Sequence, residues 1–331
     1  MPAVLGRSLA VVVLCALALA LSGAAFAGEP GFAPVEPASP NAERINDSYY
    51  WVAIFTGAIF VLVQGTLIWF IVRYRSDRRA RELDGAQVHG NTNLELAWTV
   101  APVLILVAIG SFVFYKLPGI QNVPAADRLE VKVEGYRYYW NYTYPNGVIA
   151  VDRLRAPVGQ TTRLEVSAPD FDVIHSWWIP ALGGKLDAIP GMTNETWFNP
   201  KAPGVYKGQC AEFCGIQHAV MRAEVEAMPR EEFDRWLAEE AEAQEAGTSG
   251  LGEETYRGAC AKCHGLAGEG DIGRKLAGNQ ILADAAGVER IVRNGRAATR
   301  GRPSMPPVGK DWEERQMKAL TDYLEEELLG G

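Results

Sequence analysis

Positive charge, histidine and cysteine are all scarce in this 331-residue chain. Lys and Arg number 32 against 40 Asp and Glu, a formal net charge of −8. A nucleic-acid binder needs a basic face, so that class is excluded. Five Cys cannot staple a chain this long, and a disulfide-framed small scaffold is excluded too. Disorder throughout is excluded by 48% hydrophobic and 22% charged residues. No internal repeat is visible, and the length suggests about two domains. Charge is missing altogether from Ser48 to Val72 and from Leu96 to Tyr115, runs of 25 and 20 residues.

Those two runs are long enough to span a bilayer as helices. Trp51, Trp69, Trp98 and Tyr115 stand near their ends, where amphipathic aromatics favour the interface. Arg73, Arg75, Arg78, Arg79 and Arg81 lie between them and assign the connecting loop to the cytoplasm. Pro102 within the second run is tolerable in a membrane helix. Ahead of both, Arg7, an apolar core from Leu9 to Leu21 and Ala25-Phe26-Ala27 form a signal-peptide pattern, with cleavage after Ala27. Cys15 would leave with that peptide. Both mature termini then face outward.

From Leu129 to about Val225 the apolar period becomes two: Leu129, Val131, Val133, then Leu164, Val166. Pro145-Asn146-Gly147, Pro180 and Pro190-Gly191 punctuate it, as in a β-sandwich or barrel. Residues 230–249 read as a Glu/Ala-rich helix ending in Gly247-Thr248-Ser249-Gly250, a solvated linker. If flexible, about 20 residues reach roughly 25 Å. Helix-length segments follow at Glu253–Lys262, Ala285–Arg293 and Trp312–Leu328. The expected organisation is a signal peptide (1–27), an exported segment (28–47) and a transmembrane hairpin (48–116). An all-β domain (117–228), an acidic helical segment with linker (229–250) and a small all-α domain (251–331) complete it.

The four His and five Cys carry the chemistry. In CAEFCGIQHAVM, residues 210–221, Cys210, Cys214 and His218 recur every four residues, and Met221 follows three later. His175, on an upstream strand, can come alongside. Thiolate and thioether favour copper, while imidazole suits copper or zinc, so a Cys2His2 zinc site is the competing assignment. Met221 is a poor zinc ligand, and a second thiolate points to a bridged pair of metals. Further on, Cys260-Ala261-Lys262-Cys263-His264 is the c-type haem attachment signature, with His264 as axial ligand. Met305, in the rigid turn Arg302-Pro303-Ser304-Met305-Pro306-Pro307, is the sixth-ligand candidate, since a thioether raises the potential. His89 reads as a solvated loop residue.

The motif C-x-E-x-C-x3-H-x2-M resembles that of subunit II of haem-copper cytochrome c oxidase. DVIHSWW, GGKLDAIPGMTNETWF, GVYKGQCAEFCGIQH and HGNTNLELAWT match the same family over roughly residues 45–228. The C-terminal part resembles small class I cytochromes c, and the fusion resembles a caa3-type oxidase. The resemblance implies a cupredoxin-like β domain with a dinuclear copper centre, CuA. Cys210 and Cys214 would bridge both coppers, with His175 and His218 on one each. Met221 would ligate one and the Glu212 backbone carbonyl the other, while the Glu212 carboxylate would reach a magnesium ion at subunit I. It implies that Glu95 begins a proton path into subunit I. It also implies that the aromatic stretch Tyr138, Tyr139, Trp140 receives electrons, although Tyr138 stands where the family has Trp. Electrons would pass from a cytochrome c or upstream cytochrome complex to haem c, to CuA, then to subunit I. There O2 is reduced to water with proton translocation, so this chain holds no oxygen-reducing site. The implied setting is a bacterial inner membrane with subunits I and III, both redox domains on the periplasmic face. The hairpin motif opposes another CuA enzyme, and the filled ligand set opposes a copper-delivery protein.

Overall fold

The computed structural model describes residues 34–75, 87, 89–125, 127–299, 301 and 303–330. The signal-peptide pattern with Cys15, and Arg78, Arg79 and Arg81, lie outside those residues. The chain divides into two units, Asn41–Asn122 and the remainder.

The smaller unit is a helical hairpin of α1 (Pro40–Arg73) and α2 (Thr92–Gln121), both long and apolar enough to cross a membrane. Each outruns its uncharged run. At 1.5 Å per residue, 34 residues reach about 51 Å, well beyond a hydrocarbon layer of about 30 Å. Charge marks where hydrocarbon ends, whereas backbone hydrogen bonds let a helix continue into water. Trp51 stacks on Phe112 with centroids 4.9 Å apart, and Lys116 pairs with Asp47 at 2.7 Å. These contacts hold the start of α1 beside the end of α2. Exposed Phe60, Leu62, Leu104 and Leu106 leave the hairpin an apolar outside that suits lipid rather than water.

In the larger unit the period-two pattern becomes strands. In β1 (Arg128–Tyr136), Leu129, Val131 and Val133 are buried while Arg128, Glu130 and Lys132 are exposed. It pairs antiparallel with β2 (Tyr139–Thr143) and parallel with β5 (Thr161–Ser167). With β3 (Ile149–Val151) and β8 (Asn194–Phe198) they form one sheet, ordered β3-β2-β1-β5-β8. A second sheet is β4-β10-β9, from Arg153–Pro157, Arg222–Met228 and Gly204–Gln209. β6 (His175–Trp177) pairs with β7 (Leu186–Ala188). Trp140, Tyr142, Leu154, Leu164, Trp177 and Met221 fill the core.

One expectation fails here. Residues 230–249 are not a solvated tether. Helix α3 (Arg230–Ala246) buries Phe233 and Gln244, and Arg155 lies 4.8 Å over the Trp236 ring. Gln244 acts as an extra strand residue on β3: its Nε2 donates to the Ile149 carbonyl at 2.7 Å, and its Oε1 accepts from Ile149 N at 3.0 Å. Phe233, Trp236, Leu237, Ala241 and Gln244 form a helical stripe that the acidic outer face outweighs in composition.

The C-terminal part packs directly against the β domain. It comprises α4 (Leu251–Thr255), a π-helical turn Tyr256–Cys260, α5 (Ala261–His264), α6 (Ala285–Asn294) and α7 (Glu314–Tyr323). Its core is continuous with a face of the β domain, where Tyr136, Tyr139, Ile149 and Val151 pack with Tyr256, Val308, Trp312 and Leu320. Tyr139 Oη accepts from Trp312 Nε1 at 2.7 Å and donates to the Val308 carbonyl at 2.7 Å. Gly258 lets the surfaces meet, since a Cβ there would fall 2.3 Å from Val151 Cγ1.

Candidate metal centre and haem site

Three pieces of backbone build the first site. Strand β6 begins with His175, Cys210 follows directly on β9, and the loop to β10 turns through a 3-10 segment, His218–Val220, before Met221. Cys214 Sγ is the hub: 4.0 Å from Cys210 Sγ, 3.6 Å from His218 Nδ1 and 3.8 Å from Met221 Sδ. Cys210 Sγ lies 3.2 Å from the Glu212 carbonyl. The ligand atoms of His175, Cys210 and Cys214 lie within 4.8 Å of one another, and all three residues are buried. The hydrogen bond between the two sulfurs drives Cys210 down and, with burial, Cys214 up from the ordinary thiol range.

A metal fits this set on one independent observation. Both His175 ring nitrogens are buried without a hydrogen-bond partner among the described residues. The nearest carboxylate oxygen, Asp172 Oδ1, stands 3.5 Å from Nε2. An orphaned buried polar group costs about 1–3 kcal/mol, which a metal bond removes. The Glu212 carboxylate points away, 46% exposed, with Lys185 Nζ 4.0 Å off. Phe213 and Ile216, 78% and 66% exposed, leave an apolar rim on the loop.

The second site is a cavity of about 320 Å³ lined by Cys260, Cys263, His264 and Met305 with apolar Leu282, Val288 and Val292. His264 Nδ1 lies 2.6 Å from the Arg274 carbonyl. A proton on Nδ1 leaves Nε2 free to bind a metal, the usual way a ligating imidazole is oriented. Met305 is held by a two-hydrogen-bond bridge with Arg296, 2.9 Å each way. Gly295, at φ +68°, makes the preceding turn, where a Cβ would fall 2.4 Å from the Met305 carbonyl. Burial, helped by the neighbouring Cys263, pushes the Cys260 thiol up to about 12, so it stays neutral at ordinary pH. The cavity suits haem: apolar walls, two thiols one turn apart and two axial donors.

Other candidates fall elsewhere. Tyr139 and Trp140 have no exposed surface and cannot meet a carrier arriving from solution. Tyr138 is half-buried and lines the haem cavity with Arg137 and Ile216, all three from the β domain. Glu95 sits in the first turn of α2, where Asn91 Oδ1 accepts from Leu94 N and Glu95 Oε1 accepts from Asn91 N, both at 3.1 Å. That is a reciprocal helix cap. His89 is exposed. Sequence reasoning missed Arg137 and Asp172, which pair at 2.7 Å beside His175. It also missed Asp152, Gln217 and Lys262. Asp172 had a signal, three residues before the ligand candidate His175; the others had none.

Three family models match: Cytochrome C oxidase subunit II, transmembrane domain, over residues 31–115; its periplasmic domain over 147–228; and Cytochrome C oxidase, cbb3-type, subunit III, over 250–324. Cytochrome c oxidase subunit 2 of Alkalihalophilus pseudofirmus is 31% identical, covering 90% of this chain and 91% of that one. A probable cytochrome c oxidase subunit 2 of Rickettsia bellii is 35% identical over 69% of this chain and 91% of its own. The solved periplasmic domain of subunit II of cytochrome oxidase of Bradyrhizobium japonicum is 33% identical, covering 38% of this chain and 99% of that chain, with a TM-score of 0.34. A relative 31% identical and matched along nine-tenths of both chains, with family models matching this chain's hairpin, periplasmic domain and C-terminal part, means that the chain belongs to the cytochrome c oxidase subunit 2 family.

Proposed function

We propose that this chain is the electron-relaying subunit of a haem-copper terminal oxidase in a bacterial inner membrane, taking electrons at its own haem c and delivering them through CuA to subunit I. The observation that carries the reading is the convergence of the copper-type donors on Cys214 Sγ, with a haem-type cavity in the same unit. Cys210, Cys214, His175, His218, Met221 and the Glu212 carbonyl would together hold two coppers. Cys260 and Cys263 would hold one haem covalently, with His264 and Met305 as the donors for its iron. When bound, both groups supply one-electron oxidation and reduction.

The chain's own residues set the conditions. Burial of Cys210, Cys214, Met221 and His175 keeps water from the metal ligands. Asp172, pinned by Arg137, stands 3.5 Å from His175 Nε2, where a carboxylate would steer a ligating imidazole. The Arg274 carbonyl fixes the His264 tautomer. Tyr138 and Ile216 belong to the β domain yet line the haem cavity, and Ile216 lies between Cys214 and His218, so short protein paths join the sites. Phe213, 78% exposed on the loop, suits burial against subunit I, with Glu212 offering its carboxylate to a magnesium ion there. Glu95, on the cytoplasmic side, is the candidate first acid of the proton path, and its cap bond to Asn91 would have to open. Oxygen reduction and proton translocation belong to subunit I, with subunit III alongside. The external donor is a cytochrome c or cytochrome complex that meets the haem domain.

The full chain purified in mild detergent should hold about two coppers and one haem, the content these donor sets call for. One zinc without copper would overturn the reading. Met305→Ala should lower the haem potential and remove the weak sulfur-to-iron absorption of the oxidised protein, because the thioether favours ferrous iron. Survival of that band would place another residue on the iron.

A further inference from the structure

We propose that Lys262, inside the haem-attachment motif, is a positioning residue that locks the haem site onto the copper domain through Asp152, with Gln217 as a second bolt on the copper loop. The inference rests on the reading of the two sites as haem and copper. Lys262 lies between Cys260 and Cys263, so its backbone moves with the two thiols that would carry the haem. Its side chain points out of the haem unit. Nζ sits 2.6 Å from Asp152 Oδ2 and 2.7 Å from the Tyr138 carbonyl oxygen. The two charged side chains are only 15% and 25% exposed, which sets them apart from a solvated surface pair.

The receiving end is rigid. Asp152 stands in the left-handed region at φ +60°, among the described residues the one non-glycine to do so. Its backbone N donates to the Trp140 carbonyl at 2.8 Å, and its carbonyl accepts from Glu224 N at 3.0 Å. Its Oδ1 accepts from Trp140 N at 2.9 Å, leaving Oδ2 for Lys262. The carboxylate is therefore aimed before the haem unit arrives. A compact ammonium with three donors fits a carboxylate and a carbonyl together, which a neutral side chain of equal length cannot.

The second bolt runs the other way. Gln217 Nε2 donates to the Lys262 carbonyl at 2.9 Å, and Gln217 immediately precedes the copper-ligand candidate His218. One residue of the haem motif is thus tied by its side chain to the β2–β4 region and by its backbone to the copper loop. Tyr138, whose carbonyl Lys262 holds, reaches Gly215 of that loop, where a Cβ would fall 2.6 Å from its Oη. Electron exchange between two sites depends on their separation, and shared anchors at Lys262 fix that separation.

The test uses the full chain in the assembled oxidase, comparing Lys262→Met, Asp152→Asn and Gln217→Ala with the parent. Stopped-flow absorbance follows how quickly copper reduction tracks haem reduction. Hydrogen exchange follows backbone protection over residues 136–142. Lys262→Met should slow haem-to-copper transfer several-fold, because electron transfer falls off exponentially with separation and the unlatched haem unit no longer holds its closest distance. Both midpoint potentials and the copper and haem contents should stay at parent values, and exchange over 136–142 should accelerate. The Lys262→Met/Asp152→Asn double variant should be no slower than either single one, the signature of one shared interaction. Lys262→Arg should recover much of the rate, which loss of fold would not allow. Parent-like transfer and protection in Lys262→Met would overturn the latch. A parent chain lacking copper or haem would instead overturn the functional reading; the hydrogen-exchange comparison needs neither group and would still decide the latch.

Discussion

Cys214→Ser should yield a folded chain that has lost its dinuclear copper, with copper falling from about two per chain to one or none. Cys214 Sγ is the atom on which Cys210, His218 and Met221 converge, at 4.0, 3.6 and 3.8 Å. A serine oxygen keeps the volume but is a hard donor, poorly matched to copper held by thiolate and thioether. Met221→Ala removes one terminal thioether and should cost less copper than Cys214→Ser, because the bridging thiolates remain. Folding is not at stake to the same degree. A buried hydroxyl without a partner costs about 1–3 kcal/mol, against a usual stability of about 5–15 kcal/mol. The measurement is copper per chain beside far-ultraviolet circular dichroism. Two coppers retained in Cys214→Ser would mean that Cys214 is no bridge, and the cluster would have to be rebuilt around Cys210.

The copper loop was readable because its donors are local. Cys210, Cys214, His218 and Met221 fall within twelve consecutive residues, so spacing alone announces a turn that gathers them. His175 lies 35 residues upstream, and spacing alone says only that a strand could bring it alongside; sheet geometry supplies the physical reason, with β6 starting at the cluster. The hairpin was readable because lipid imposes a long uncharged run, yet its helix ends were not, since backbone hydrogen bonding continues past the last apolar residue. The acidic segment misled for a compositional reason: its glutamates outnumber the stripe of Phe233, Trp236 and Gln244 that packs on the sheet. Least legible was the joining of the two redox domains. Asp152 and Lys262 are 110 residues apart, and a carboxylate beside a strand looks the same whether it faces water or a docked lysine. Tyr136 and Tyr139 fit a β-domain core by pattern, and nothing in their spacing says that the covering surface comes from helices near residue 312.

That covering surface leads to the largest stability effect expected. Trp312→Ala should separate the unfolding of the haem unit from that of the β domain. Trp312 is 4% exposed, its ring meets Tyr139 edge-on at 6.1 Å between centroids, and its Nε1–H donates to Tyr139 Oη. Gly309 lies under the indole, where a Cβ would fall 2.6 Å from the ring. Removing a buried Trp side chain costs about 3–5 kcal/mol through lost transfer energy and the cavity left behind. Much of that loss falls on the joint, because the indole touches Tyr139 of the sheet as well as its own unit. The parent, with one continuous core here, should unfold its two redox domains in one step. The variant should melt its haem unit first, about 10 °C lower, with the sheet following near the parent temperature. Tyr323→Ala is the control: its ring packs on Tyr256 at 5.5 Å within the haem unit. It should weaken that unit without raising hydrogen exchange at Tyr139. Calorimetry resolves the steps, and exchange at residues 136–142 reports the joint. A single transition in Trp312→Ala, with Tyr139 still protected, would mean that α3 and the Lys262 contacts hold the two domains together without the indole.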